Sequence, residues 1–166
     1  MGTYKVSTPV IDGGDNSTLK LPFFATRPQP DAFLRFLPEM GGQSKVFKKY
    51  LTGPPELVAE VSATSANYDL TDKLEAYRLN GVCEYIVWRV WDNAIDWLIL
   101  RDGQYERVLP DGNGVVRCEV MPGLWLDSEA MLRRDMPRVL VTLQQGLASP
   151  EHAAFVAWLA ALIQNS

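Results

Sequence analysis

The chain has 166 residues, of which 47% are hydrophobic and 22% charged, with a formal net charge of −4. This size and composition predict one α/β domain spanning 1–166 with enough core to fold without staples, and the acidic balance excludes a polybasic coat for nucleic acid or membrane. No apolar run approaches the length that spans a bilayer, MGTYKVSTP is no signal peptide, and Cys83 and Cys118 lack CxxC spacing, so a cytoplasmic chain with reduced thiols is expected.

In chain order, Tyr4 to Val10 reads as a short strand or extended entry, and Asp12-Gly13-Gly14-Asp15-Asn16 as a loop or turn. Ser17 to Phe24 alternates like a strand, pushed toward an edge by Pro22. Pro28-Gln29-Pro30 holds the backbone extended before a second strand, DAFLRF, with Asp31, Phe33 and Arg35 on one face. Pro38 to Thr52 reads as a mobile excursion. Its lysines, Lys45, Lys48 and Lys49, suit a solvated loop or a flap that touches phosphates.

Pro55 to Trp88 is the central unit: strand, loop, helix, turn, strand. On the strand Leu57 to Ser62, the side chains of Val58, Glu60 and Ser62 share one face. Asp69 is expected to cap the helix with Asp72 completing the box, and Leu70, Leu74 and Tyr77 form its apolar stripe beside Lys73. Gly81 stops it. EYIVWRV is hydrophobic enough to be a central strand, and Ile95 to Leu100 returns as its hairpin partner. Asp102-Gly103 marks a further hairpin into Tyr105 to Leu109. After Val115 to Val120, Asp127 or Ser128 caps a short helix, Pro137 opens another, and Ser149-Pro150 caps a last one from His152 to Ile163. The only histidine, His152, excludes sites built on several histidines and reads as a surface residue.

Glu60 is the oddity. A carboxylate on a covered strand is costly unless a metal, a cationic partner or an open edge compensates it. If the Asp31 and Glu60 strands are neighbours, both acids converge on one point, the incomplete oxygen shell that Mg²⁺ takes while keeping positions for water and phosphate. Lys73 then stands ready to orient a nucleophile or stabilise a developing oxyanion. Glu56 shares a face with Glu60 and reads as a solvated strand-entry residue or as an extension of the acidic site. Ser62 suits a cap of the next loop or a contact to phosphate, and Tyr77 a core tyrosine with its hydroxyl satisfied or one that lines the cleft. Trp88 and Trp97 read as cross-strand packing pairs rather than base-stacking platforms.

The ordered set QPDAFLRF, PPELVAEVS and YDLTDKLEAYRLNGVCEYIVW, with the RDGQYE hairpin and PGLWLD, resembles the Uma-two family of restriction endonucleases in the PD-(D/E)XK nuclease superfamily. The resemblance covers nearly the whole chain. It implies a restriction-endonuclease-like core, a mixed central β-sheet flanked by helices, and a Mg²⁺-dependent site, with Mn²⁺ as a substitute, that cleaves DNA. Pro30-Asp31 matches the PD element, Glu60 the acidic position of the second element, and Val61 the residue whose carbonyl joins the metal. Ser62 stands where the superfamily has lysine, a role that the resemblance moves to Lys73. Relatives carry a helix before the first strand, which this chain is expected to have shortened or lost, and many have aspartate where Glu56 stands. A nuclease-derived module without catalysis is the competing expectation. Cutting both strands of a duplex with one site per chain also predicts a homodimer.

Overall fold

The computed structural model of the chain describes residues 1–23, 27–63 and 71–164. Its centre is a six-stranded sheet in the order β1-β3-β6-β7-β8-β9, where β1 is Ile11–Gly14, β3 Ala32–Phe36, β6 Leu57–Ser62, β7 Glu84–Arg89, β8 Ala94–Arg101 and β9 Gln104–Arg107. β6 and β7 run parallel and every other neighbouring pair is antiparallel. A parallel pair needs a crossover, which passes through helix α2, Asp72–Asn80. Gly81 ends α2 with φ 81°, the left-handed conformation that glycine adopts without penalty. Asp102 and Gly103, at φ 48° and 77°, turn β8 into β9 as the sequence predicts.

A smaller sheet, β2-β5-β4, stands beside it, with β2 at Leu19–Lys20, β4 at Lys45–Phe47 and β5 at Tyr50–Thr52. A two-stranded ribbon joins β10, Val115–Arg117, to β11, Trp125–Asp127. Helices α3 (Ser128–Leu132), α4 (Met136–Leu147) and α5 (Pro150–Gln164) complete the chain.

Side-chain alternation divides the core into two layers. On the front face Phe33, Val58, Tyr85, Val87 and Leu98 pack with Tyr77 of α2 and with Leu19 and Leu51 of the small sheet. On the rear, Leu34, Leu57, Trp97 and Ile99 pack with Leu124 beside the ribbon, Leu143 of α4, and Phe155 and Leu159 of α5. This is the mixed sheet flanked by helices that the sequence predicts. Among the described residues no single helix is long and apolar enough to cross a membrane, although α4 and α5, bent by 57°, pass that test as a pair.

Several local expectations are corrected. Gly2–Ser7 is a helix, α1, rather than a strand, because Tyr4 is fully buried and its hydroxyl donates to the carbonyl of Pro122 at 2.8 Å. The glycine turn at Asp12-Gly13-Gly14 is the edge strand β1, and a Cβ on Gly13 would lie 2.6 Å from the carbonyl oxygen of Phe33. Of the strand expected over Ser17 to Phe24, Leu19–Lys20 is a strand of the small sheet, and Phe24 lies outside the described residues. Pro38 to Thr52 is a 3-10 turn, Pro38–Met40, and the β4–β5 hairpin. His152 is buried between the hydroxyl of Thr8, 3.0 Å from Nε2, and the carbonyl of Leu147, 2.9 Å from Nδ1. The Asp69 cap and Leu70 lie outside the described residues, where α2 is preceded by Thr71.

Candidate functional site

β3 and β6 are direct neighbours, with Ala32 opposite Ala59 and Phe33 opposite Val58. One step further along this register brings Asp31 level with Glu60 on the front face. Asp31 Oδ2 accepts the backbone N–H of Val61 at 2.6 Å, and the negative charge of Asp31 is felt at Glu60.

The backbone of β6 alternates between its two neighbours. The carbonyls of Glu56 and Ser62 accept from the N–H groups of Glu84 and Val90, so even-numbered residues bond toward β7 and odd-numbered ones toward β3. Val61, 49% exposed, therefore turns its peptide groups to the β3 side. There the register would next supply Pro30, which has no N–H to give. The Val61 carbonyl thus lies at the end of the ladder, beside both carboxylates.

Glu60 is 3% exposed and lies beneath α2. Its Oε1 takes an ion pair from Lys73 Nζ at 3.1 Å and a hydrogen bond from the hydroxyl of Tyr77 at 3.0 Å. The helical spacing of four residues stacks Lys73 and Tyr77 on one face, aimed at the same oxygen. Tyr77 is fully buried and meets Tyr85 edge-on, at 5.0 Å between ring centres, which fixes its ring. Burial pushes the Glu60 carboxyl above its ordinary range; Lys73 and then Tyr77 pull it back, and Asp31 adds to the rise.

Five carboxylates are buried among the described residues: Glu56, Glu60, Glu84, Asp96 and Asp127. Glu56 accepts from the N–H groups of Phe36 and Gln43, one on each oxygen. Glu84 accepts the N–H groups of Glu119 and Val120 on Oε1 and the indole N–H of Trp97 on Oε2. Asp96 is held by Arg107 on one oxygen and Arg89 on the other. Asp127 caps α3 through the N–H of Ala130 and takes Arg138 on its second oxygen. Glu60 differs. Its Oε2 accepts no hydrogen bond among the described residues, and neither does Asp31 Oδ1.

Of the remaining candidates, Ser62 is 3% exposed and its hydroxyl has no partner among the described residues; the loop it is expected to cap lies outside them. Glu56 is no solvated entry residue: it is buried, and its two backbone partners use it to tie β3 and the Gln43 turn to the start of β6. Trp88 and Trp97 face the rear layer, where with Trp125 they line an apolar cavity of about 210 Å³ behind Val61. The Arg89–Asp96–Arg107 cluster was not singled out in the sequence. Asp96 shares a row of the sheet with Glu60 and Val87, and its signal is the same one, an acid inside an apolar strand.

Among the described residues, no three His, Cys, Asp or Glu side chains gather into a metal cage. The chemistry of the donors suits a hard cation: the Asp31 and Glu60 carboxylates and the Val61 carbonyl are all oxygen donors, and the Lys73 ammonium lies 3.1 Å from Glu60 Oε1.

This fold, a mixed sheet with two neighbouring acids on its central strands, is that of a nuclease-like core. A solved structure shares it: a putative nuclease belonging to DUF820 from Anabaena variabilis aligns with TM-score 0.51 and 9% identity, over 68% of this chain and 62% of that one. The chain therefore spans less than two thirds of that protein's length. No curated protein matches. The family model of Uma2, described as "Putative restriction endonuclease", matches residues 10–129, and the chain belongs to that family. The matched stretch contains Asp31, Glu60, Val61 and Lys73.

Proposed function

We propose that the protein is a divalent-metal-dependent endonuclease that hydrolyses phosphodiester bonds in DNA. One observation carries this reading: among the described residues, Glu60 alone of the buried carboxylates keeps an oxygen without a hydrogen bond, beside a second acid whose outer oxygen is likewise unbonded. That oxygen is not sealed from solvent, so it stays open to a ligand, whereas the other buried carboxylates have both oxygens engaged.

Asp31 Oδ1, Glu60 Oε2 and the Val61 carbonyl would hold Mg²⁺ or Mn²⁺. The ion supplies a water of lowered pKa and offsets the charge of the phosphate. Asp31 fixes its own orientation by accepting the Val61 N–H, which leaves its other oxygen directed outward. Lys73, anchored on Glu60 Oε1, presents its ammonium where it orients the attacking water and stabilises the phosphorane-like oxygens. Tyr77 positions the carboxylate from below. The unpartnered Ser62 hydroxyl, two residues along the same face, is a donor for a non-bridging phosphate oxygen.

The test is nicking of supercoiled plasmid, in Mg²⁺ and in Mn²⁺, by the wild type and by Asp31→Asn, Glu60→Gln and Lys73→Ala, each checked for fold by circular dichroism. Wild-type nicking that needs the ion and is lost in folded variants supports the proposal. A wild type that gives no heat on titration with either ion and leaves plasmid intact sinks it.

A further inference from the structure

The basic cluster in the small sheet is too well built to be a solvated loop. All three residues of β4 are exposed, with Val46 and Phe47 at 62% and 56%. Lys48 and Lys49 form the hairpin turn, with Lys48 at φ 55°. Around Tyr50 the cations converge from three segments: Lys20 Nζ lies 4.0 Å from the ring centre, the Arg27 guanidinium 5.4 Å and Lys49 Nζ 5.7 Å. Lys48 Nζ lies 5.7 Å from the ring of Phe47.

Charge balance separates this patch from the rest of the surface. No Asp or Glu occurs between Glu39 and Glu56. Among the described residues none of Lys20, Arg27, Lys45, Lys48 and Lys49 has an acidic partner, while Arg78, Arg89, Arg101, Arg117 and Arg133 each do, and of the lysines and arginines outside the patch Arg134 alone shares that lack. A chain of net charge −4 has ample carboxylates to neutralise the cluster and does not. Such a surface attracts a polyanion.

The hairpin is also fixed relative to the acids. Leu51 of β5 is buried in the front layer with Phe33, Val58 and Tyr77. Arg35 donates to the carbonyl of Ser44 at 3.0 Å, just before β4. A groove beneath Lys49 and Tyr50 is floored by Gly13, Gly14 and Phe33, and the same three residues line the larger depression that reaches Asp31. The two meet along Gly13, Gly14 and Phe33, so one track runs from Lys49 to Asp31.

We propose that the β4–β5 hairpin, with Lys20 and Arg27, is an arm that grips the phosphate backbone of duplex DNA and leads it into the Asp31–Glu60 site. The proposal deepens the nuclease reading and rests on it for the direction of the track. The lysines supply sequence-independent phosphate contacts, and the exposed Phe47 ring and the half-buried Tyr50 ring hold the ammonium groups of Lys48, Lys20 and Lys49 at the surface. The competing role is protection of the exposed edge of β4 against strand pairing, which lysines also provide.

Binding of a short fluorescein-labelled duplex, followed by anisotropy over a range of NaCl, separates the two. The comparison is Glu60→Gln protein, which leaves the duplex intact, with the same protein carrying Lys45→Ala, Lys48→Ala and Lys49→Ala. Each lost contact lowers the slope of log K against log salt by about 0.9, so a slope shallower by about 2 to 3 and a tenfold or greater weakening at low salt are expected. Glutamine at the same three positions must give the same slope, which keeps the test independent of any folding defect of the alanine variant. An unchanged slope, or the loss of affinity for phosphatidylserine vesicles rather than for DNA, overturns the arm. Should the wild type nick DNA at the rate of the lysine variant with equal slopes, the arm fails while the acid site stands. Should no nicking occur but the slope fall as stated, the arm is supported and the acid-site reading fails.

Discussion

Two buried glutamates stand four residues apart, one just before strand β6 and one within it, and the two have opposite surroundings. Glu56, at the entry, spends both oxygens on backbone N–H groups of Phe36 and Gln43. Glu60, four residues on, receives Lys73 and Tyr77 on one oxygen and leaves the other without a hydrogen bond among the described residues. Burial raises the proton affinity of both. The first is therefore a structural tie that joins three segments, and the second a tool held in place. Burial alone did not distinguish them; the accounting of each oxygen did.

The largest effect should come from the acids themselves. Because removal of an outer partner of a metal ligand typically costs about 10–100-fold, loss of a ligand in Glu60→Gln or Asp31→Asn should lower the nicking rate by more than about 100-fold. Glu60→Gln should hardly change stability, since an amide oxygen still accepts from Lys73 and Tyr77.

Lys73→Ala should abolish nicking and also destabilise the fold by about 3 kcal/mol in urea denaturation, the low end for stripping a buried charge of its partner because the Tyr77 hydroxyl remains. Tyr77→Phe should cost about 1 kcal/mol and about tenfold in rate, as expected of a residue that positions Glu60 without touching substrate. Equal rate losses for the two variants would count against Lys73 acting at the phosphate.

Glu56→Gln is the mirror experiment. Its amide N–H₂ must face the N–H of Phe36 or of Gln43, so a destabilisation of about 1–3 kcal/mol is expected. The rate per folded molecule should stay unchanged. A selective loss of activity at full stability would place Glu56 in the site after all.

The smallest effect concerns pH. The Glu60 carboxyl titrates above the ordinary glutamate value of 4.5, mainly through burial. Between that value and its raised pKa the native state binds more protons than the unfolded chain, so its contribution to stability falls as pH rises through the window. Glu60→Gln should flatten that segment of the stability curve. Protons and the cation also compete for Oε2, so nicking at low Mg²⁺ should rise with pH to a midpoint above 4.5 and move lower as Mg²⁺ is added. A rate profile indifferent to Mg²⁺ concentration would detach Glu60 from the metal.

Much of the sheet was legible because its signals are local. Alternation in DAFLRF and LVAEVS, the apolar run EYIVW, the Asp102-Gly103 turn and the Gly81 stop depend on residues close in the chain, and β3, β6, β7, β8 and β9 stand where these place them. Elements held by distant contacts were misread. α1 forms because Tyr4 reaches Pro122, and β1 forms because Gly13 permits the backbone of β3 to come close. Neither cause lies within reach of a local pattern. His152 likewise reads as a surface residue from its neighbours in the chain, since nothing near it in sequence announces the Thr8 hydroxyl.

By itself, the sequence determined which strand would bear an uncompensated acid and which helix would bring an ammonium near it, because hydrophobic periodicity makes a charge in a covered strand conspicuous. Only the tertiary structure decided which acid keeps an oxygen to spare. Glu56, Glu60, Glu84 and Asp96 look alike within their strands or at their edges, and their fates differ through donors brought from 10 to 40 positions away, such as Phe36, Tyr77, Val120 and Arg107. A hydrogen bond is a short-range interaction, so the pairing of any one oxygen is set only once the layers have closed around it.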